Sequence, residues 1–314
     1  MRRESLEKIV ELKNVTKVIK GRTIIDNISF QVNKGEVFGF LGPNGAGKTT
    51  TIRMIVGLMA ITSGDIEVGG SSIKTNFEEA VRHIGAIVEN PEMYKFLTGY
   101  QNLIHYARMA NGISKEKIAE IVELVGLTDR IHDKVKTYSL GMRQRLGLAQ
   151  CLLHDPQVLI LDEPTNGLDP AGIREIRDYV RLLAREKNLA VIVSSHLLSE
   201  MEMMCDRIGI IQSGRLIDVQ LVQELVHGAS ETTHELEVVP ADKALQLIGV
   251  HFPNARANLS RNGITIELPK EQIPKLIKTF VTEDIQVYGI REVAKTLEDR
   301  FLELTTEKGV PNRG

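Results

Sequence analysis

"GPNGAGKTT", Gly42 to Thr50, is the stretch that decides the fold. It fits the pattern G-x-x-x-x-G-K-[ST], follows the apolar run "EVFGFL" and opens a helical pattern from Lys48 to Leu58. Glycines at Gly42, Gly45 and Gly47 let backbone N–H groups turn inward around an anion. The helix N-terminus behind them adds positive potential. In this setting Lys48 is expected to reach the β- and γ-phosphates of a nucleotide, and the Thr49 hydroxyl to hold Mg²⁺. A glycine-rich turn without a ligand would use the same letters. The strand before and the helix after set the two readings apart.

Outward from this loop, strand and helix signals alternate. "ISFQV", "GDIEVGG" and "HIGAIVE" read as strands. From about Pro91 to His154 the signals turn helical, as in "SKEKIAEIVELVGL", with apolar residues at 118, 121, 122 and 125. "QVLILDEP" and "LAVIVSSH" then return as near-continuous apolar runs, the pattern of strands buried on both faces of a parallel sheet. "IGIIQSGRLI" reads as a hairpin. A helical subdomain is therefore inserted into an α/β core.

Beyond about Val222 the order becomes strand "HELEVV", helix "ADKALQLIGV", hairpin "ARANLSRNGITIEL" through Asn262-Gly263, helix "KEQIPKLIKTFVTE" and strand "IQVYGIREV". That is β-α-β-β-α-β, the ferredoxin-like split motif. "TLEDRFLELTTE" is expected to close the chain as a helix. This small domain carries no recognisable catalytic constellation.

Two further stretches extend the phosphate chemistry. In "VLILDEP" four apolar residues run into Asp162 and Glu163 at a strand's end. Asp162 is placed to hold Mg²⁺ through water, and Glu163 to orient or deprotonate an attacking water. Phosphoryl transfer asks the protein for positioning and charge neutralisation rather than covalent chemistry. "SSH" ends the next strand. Parallel sheets bind ligands at the carboxyl ends of their strands, which puts His196 on the same edge as Asp162, within reach of a γ-phosphate. An acid pair near a turn and a surface histidine are the plainer readings of each stretch taken alone.

A fourth stretch, "YSLGMRQRLGLAQ" from Tyr138 to Gln150, reads as a helix start with Ser139 as N-cap. Met93, Tyr94 and Phe96 in "PEMYKFLTGY" are expected to be exposed near a loop.

Bulk properties bound the rest. The chain has 314 residues, 42% of them hydrophobic, with a net charge of −2. That is room for about two domains and gives no basic footprint for nucleic acid. No run approaches the ~18 apolar residues a membrane span needs. The short, mixed-charge "MRRESLEK" is no secretory signal. Cys151 and Cys205 form neither a disulfide framework nor a metal spacing, as expected of a cytosolic chain.

The motifs, in this order, resemble the nucleotide-binding subunit of ABC transporters: "GPNGAGKTT" the phosphate loop, "YSLGMRQR" the family signature, "VLILDEPTNGLD" the magnesium strand, catalytic glutamate and D-loop, "SSH" the switch histidine. The resemblance covers roughly Val10 to Ile217. It implies an α/β fold: a P-loop ATPase core with a parallel sheet, an antiparallel β subdomain and an inserted helical subdomain, plus a small α+β, ferredoxin-like C-terminal domain. The ATP-binding domain would span 8–222, its helical part about 90–154, and the accessory domain 230–314.

The resemblance also implies roles. Glu163 and His196 would be catalytic. Gly42, Pro43, Asn44, Gly45, Ala46, Gly47, Lys48, Thr49 and Thr50 would hold ATP, with Ile19 on the adenine. Ser139, Gly141 and Asp169 would contact nucleotide across a head-to-tail homodimer, or a dimer with a close paralogue. Thr49, Asp162 and Glu89 would serve Mg²⁺. A separate multi-spanning permease would hold the subunit on the inner face of the cell membrane, with segment 89–111 facing it.

"YSLGM", "IGAIVENPEMYKFLTGYQNL" and "TLEDRFLELT" look like the bacitracin-resistance and lantibiotic-immunity exporter ATPases, a resemblance that implies efflux of a drug or antimicrobial peptide. Two positions depart from the broader family. Glu89 stands where Gln is usual; an ionised carboxylate accepts hydrogen bonds but donates none. Ile19 stands where an aromatic usually stacks on adenine. A soluble ABC ATPase working in translation or on DNA is the alternative. Such proteins usually carry two cassettes or long coiled coils, and the roughly ninety residues between Lys48 and Ser139 hold only a compact helical subdomain. The remaining rivals are an ATP-binding module without turnover, which Glu163 opposes, and a small-molecule kinase, which would leave the signature unexplained.

Overall fold

The structure, a computed structural model, describes residues 7–110, 112–227, 232–253, 255–260 and 263–293. These fall into two compact units divided between Val222 and Gln223.

The first unit begins with β1 (Lys8–Ile19), β2 (Arg22–Asn33), β3 (Val37–Leu41), α1 (Lys48–Ile55), β4 (Ser63–Val68), β5 (Ser71–Ser72), α2 (Phe77–Arg82) and β6 (Ile84–Ile87). The helical insertion holds α3 (Gly99–Ala107), α4 (Lys115–Leu124) and α5 (Leu140–Leu152). The chain returns through β7 (Val158–Asp162), α6 (Pro170–Glu186), β8 (Ala190–Ser195), α7 (Leu198–Met204), β9 (Arg207–Gln212) and β10 (Arg215–Leu221).

Two sheets result. One is four-stranded and antiparallel, in the order β2-β1-β4-β5. The other is six-stranded, in the order β10-β9-β3-β8-β7-β6, parallel except for the β9–β10 hairpin. Every residue of β3, β7 and β8 is buried, which is why their sequences are apolar without alternation. A core of Phe30, Phe38, Phe40, Ile52, Met54 and Ile160, among others, joins the two sheets through α1.

Register places the functional edge. Leu41 pairs with Ser195, and Asp162 with Ser194. The loops that follow β3, β7 and β8 therefore leave the sheet side by side. α6 shows how a sequence sets a helix here. Asp169 caps it by accepting from Gly172 N at 2.9 Å, Pro170 opens its first turn, and Ile176, Val180, Leu183 and Ala184 form its buried stripe.

The structure refines several expectations. α1 stops at Ile55 rather than Leu58, because return bonds from Gly57 N to the Met54 carbonyl (3.1 Å) and from Met59 N to the Arg53 carbonyl (3.0 Å) close it. Met93 is buried, while Tyr94 and Phe96 are exposed as expected. The buried Asn102 holds this turn, accepting from Tyr94 N at 2.9 Å and donating to the carbonyls of Tyr94 and Thr98. β1, α2 and the whole first half of β2 lie where no element was expected.

α8 (Val222–His227) leads into the second unit. There β11 (Thr232–Val239), α9 (Ala241–His251), β12 (Arg256–Ser260), β13 (Gly263–Leu268), α10 (Ile273–Thr282) and β14 (Gln286–Val293) follow in the order read from the sequence. The sheet order is β12-β13-β11-β14, antiparallel throughout, which interleaves two split β-α-β units as the ferredoxin-like motif requires. Leu236, Ile264, Ile266, Leu276 and Phe280 centre its own core. Asn262 and the helix expected over 296–307 lie outside the described residues.

Candidate active site

The loop after β3 is built around close backbone approach. A Cβ on Gly42 would stand 2.3 Å from the Ile211 carbonyl oxygen, so only glycine fits there. Gly47, the N-cap of α1, has φ 112 and no side-chain cap, and the first turn contains no acid. The N–H groups of that turn are left for an anion, with the helix dipole behind them. Lys48 is buried, and its Nζ donates to the Gly42 carbonyl at 2.6 Å and the Pro43 carbonyl at 3.4 Å.

These residues form one wall of a cleft of about 300 Å³. Pro43, Asn44, Gly45, Gly47, Lys48, Thr49 and Thr50 line it from the loop, Glu163 and Asn166 from the segment after β7, and His196 from the segment after β8. Ala46 is buried beside the loop, its N–H donating to the Pro43 carbonyl.

Glu163 is the meeting point. One carboxylate oxygen is 2.8 Å from His196 Nδ1, and the other is 3.5 Å from Lys48 Nζ. Its backbone is left-handed, φ 50, a strained conformation for a non-glycine residue. Its N–H donates to the Ser194 hydroxyl (3.0 Å) and the Ser194 carbonyl (3.2 Å). Asp162 is buried at the end of β7 and accepts from the Ser194 hydroxyl at 2.5 Å.

The oxygens present suit magnesium. Thr49 offers a hydroxyl and Asp162 a carboxylate, and among the described residues no group of three or more His, Cys, Asp or Glu could cage a metal. Magnesium is typically held by one or two carboxylates together with substrate phosphates, so this sparse donor set fits it.

Other expected residues lie elsewhere. Ser139 caps α5, accepting from Met142 N at 3.2 Å, and with Gly141 it does not line the cleft of its own chain. Asp169 is occupied as the α6 cap. Ile19, at the β1–β2 turn, is partly exposed and outside the cleft lining. Glu89 is also outside it: its exposed carboxylate pairs with Arg53 at 2.5 Å. Of the α5 side chains left open between phosphate contact and solvated surface, none is simply solvated. Arg143 donates to the Tyr138 carbonyl (2.6 Å), Arg145 to the Gly126 carbonyl (2.9 Å), and Gln144 is buried.

Sequence reading gave no role to Ile24 or Asn166, which line the cleft, or to Ser194, which joins Asp162 to Glu163. Ser194 stood in the quoted "SSH" and could have been found from the β7–β8 register. Ile24 carried no signal of its own.

A second cavity of about 350 Å³ opens at the other end of α1. Val56, Leu58, Val88, Pro91 and Tyr106 are among its walls.

Residues 25–166 match the family model described as ABC transporter. The chain is 61% identical over 303 residues to the uncharacterized ABC transporter ATP-binding protein YhcH of Bacillus subtilis (strain 168), covering 96% of this chain and 97% of that one. The chain belongs to the ABC transporter ATP-binding proteins. This ABC protein is 40% identical over 297 residues to the bacitracin transport ATP-binding protein BcrA of Bacillus licheniformis, covering 94% of this chain and 97% of the relative. A solved structure of the ATP binding subunit of an ABC transporter superposes with a TM-score of 0.62 at 28% identity, covering 69% of this chain and 91% of that chain. The cleft of this ABC protein is accordingly that of an ABC-type ATPase. Among its described residues no helix is long and apolar enough to cross a membrane.

Proposed function

We propose that this chain is the ATP-hydrolysing subunit of an exporter that removes a drug or antimicrobial peptide, acting as a head-to-tail dimer beneath a separate multi-spanning permease. The observation that carries the catalytic half is the placement of Glu163 between Lys48 and His196 on the rim of the phosphate-loop cleft. The loop from Gly42 to Thr50 holds the triphosphate, its first-turn N–H groups and Lys48 neutralising charge on the β- and γ-phosphates. Thr49 and Asp162 would hold Mg²⁺, and Glu89 could join them only by leaving Arg53. When bound, the metal offsets charge on the phosphate oxygens. Glu163 takes the proton of the attacking water, and His196 steadies the carboxylate and meets the γ-phosphate.

Ser139 and Gly141 serve the nucleotide of the facing copy, and Asp169 lies at the junction between copies. Support for this is that the Ser139 helix start is well formed, yet does not line the cleft of its own chain. The permease docks on the groove at the far end of α1, lined by the exposed Leu58 with Val56, Pro91 and Tyr106, and on the segment that follows it, where Tyr94 and Phe96 are exposed. Such docking places the subunit on the inner face of the membrane. The export reading draws on the bacitracin transport relative.

Two measurements test this. Glu163→Gln, purified with ATP and Mg²⁺, is expected to accumulate as a nucleotide-bound dimer; a monomer under those conditions argues against the dimeric site. Deleting the chain is expected to sensitise its host to peptide antibiotics, and a tagged copy is expected to retain a hydrophobic multi-spanning protein from solubilised membranes. Retention of ribosomes instead would overturn the transport reading.

A further inference from the structure

The ends of β7 and β8 and the segments that follow them are tied by three successive side-chain contacts. Asp162 accepts from the Ser194 hydroxyl at 2.5 Å, Glu163 meets His196 at 2.8 Å, and Thr165 Oγ1 donates to Glu200 Oε2 at 2.5 Å. The first continues the β-ladder and the second lies in the cleft. The third lies outside the cleft lining, and none of the chemistry above calls on it.

Glu200 and Thr165 are 6% and 5% exposed, so this contact is shielded from water. Among the described residues Glu200 makes no ion pair, and the Thr165 hydroxyl is its one side-chain hydrogen-bond partner. A buried carboxylate without a cation is costly, and an apolar side chain of similar volume would pack in its place without that cost. The position therefore asks for an acceptor aimed at Thr165.

The reason lies two residues upstream. Glu163 has left-handed backbone, and such strain persists only where the surroundings over-determine it. Ser194 grips the near side through the Glu163 N–H. On the far side the chain turns at once, with Asn166 N donating to the Glu163 carbonyl at 3.1 Å, and Thr165 is anchored to α7 through Glu200. His196 leads directly into that same helix. One carboxylate thus fixes the loop bearing Glu163 against the element that follows its partner histidine.

We propose that Glu200 is a positioning residue: acting through Thr165, it holds Glu163 in the left-handed conformation that sets its carboxylate between Lys48 and His196. This rests on the reading of Glu163 as the base. Glu200 is buried outside the cleft lining, so its loss disturbs the rate of the chemical step and leaves ATP capture by the Gly42–Thr50 loop intact.

The test is steady-state ATP turnover by the full-length chain with Mg²⁺, alongside folded fraction by circular dichroism. Thr165→Val keeps the shape and removes the hydroxyl. It is expected to lower kcat about tenfold while KM for ATP stays within about twofold. Thr165→Ser, which keeps the donor, is expected to restore kcat to within about twofold of the parent. In Glu200→Leu, Thr165→Val is expected to add little further loss, because the two side chains act as one unit. An unchanged kcat in Thr165→Val, no rescue by serine, or a loss explained by folded fraction alone overturns the proposal. Glu163→Gln in the same assay separates the two ideas. If it retains turnover, the base assignment itself fails. If it abolishes turnover while Thr165→Val does not, only the role of Glu200 fails.

Discussion

Nδ1 of His196 lies 2.8 Å from Oε2 of Glu163, and that carboxylate turns its other oxygen toward Lys48. An ionised carboxylate is the form able to accept a proton from water. Glu163→Gln keeps the shape and removes the proton acceptor. ATP affinity is expected to hold, and turnover to fall by about 100-fold or more. Phosphate release and equilibrium nucleotide binding on the same sample check this; near-normal hydrolysis would remove Glu163 from the mechanism.

Lys48→Ala is expected to fail at an earlier stage. It deletes a buried cation and the tie from Lys48 to the Gly42 and Pro43 carbonyls. ATP affinity is expected to drop at least about tenfold, the scale of one charge-assisted contact. Titration with a fluorescent nucleotide separates this from the Glu163→Gln phenotype.

Two loop glycines are expected to respond differently to the same added methyl. At Gly42 a Cβ meets the Ile211 carbonyl oxygen at 2.3 Å, while at Gly45 it meets nothing within 4 Å, though φ there is 80. Gly42→Ala forces backbone movement and is expected to cost about 1–3 kcal/mol. Gly45→Ala carries only the left-handed strain, about 1 kcal/mol. Thermal denaturation of the two variants is expected to rank them in that order.

Burial pushes the Cys151 thiol up to about 12 and the Cys205 thiol higher still. The thiolate is the reactive form, so neither group is expected to react with Ellman's reagent at pH 8 in the folded chain, and both are expected to react in denaturant. The sign for stability follows. The unfolded thiols ionise near 9.0 while the folded ones stay protonated. Their contribution is thus complete below that pH and is lost as pH rises toward the folded values.

Ile19→Tyr tests the departure near the adenine end. Ile19 is exposed at the β1–β2 turn. An aromatic face over the base is expected to tighten ATP binding about fivefold, on the scale of a single base–aromatic stack. No gain in calorimetry would show that the base does not lie against this turn.

Much of the core was legible because its physics is local. β3, β7 and β8 are buried on both faces, so their sequences are uninterrupted apolar runs ending in chemistry. β1 was not legible: "KIVELKNVTKVI" mixes lysines with valines, and its pairings carry several register shifts that break the alternation. The site motifs announced themselves by spacing, since a phosphate loop is one continuous segment. Thr165 and Glu200 gave no such signal, being 35 residues apart and joined only when α7 packs against β3, β8 and α6. The Arg53–Glu89 pair is hidden for the same reason.

α1 has only eight residues, about 12 Å of helix. Its first residue, Lys48, lines the nucleotide cleft, and Val56, just past its last, lines the groove. A rod this short does not let its ends move independently. Thermodynamic linkage then makes the traffic two-way: whatever factor ATP adds to the affinity of a groove occupant, that occupant returns to the affinity for ATP. If the permease occupies the groove as proposed, nucleotide binding by the isolated chain and by the chain with its permease would differ by that factor, so the affinity of either one, measured alone, reports only half of a reciprocal pair.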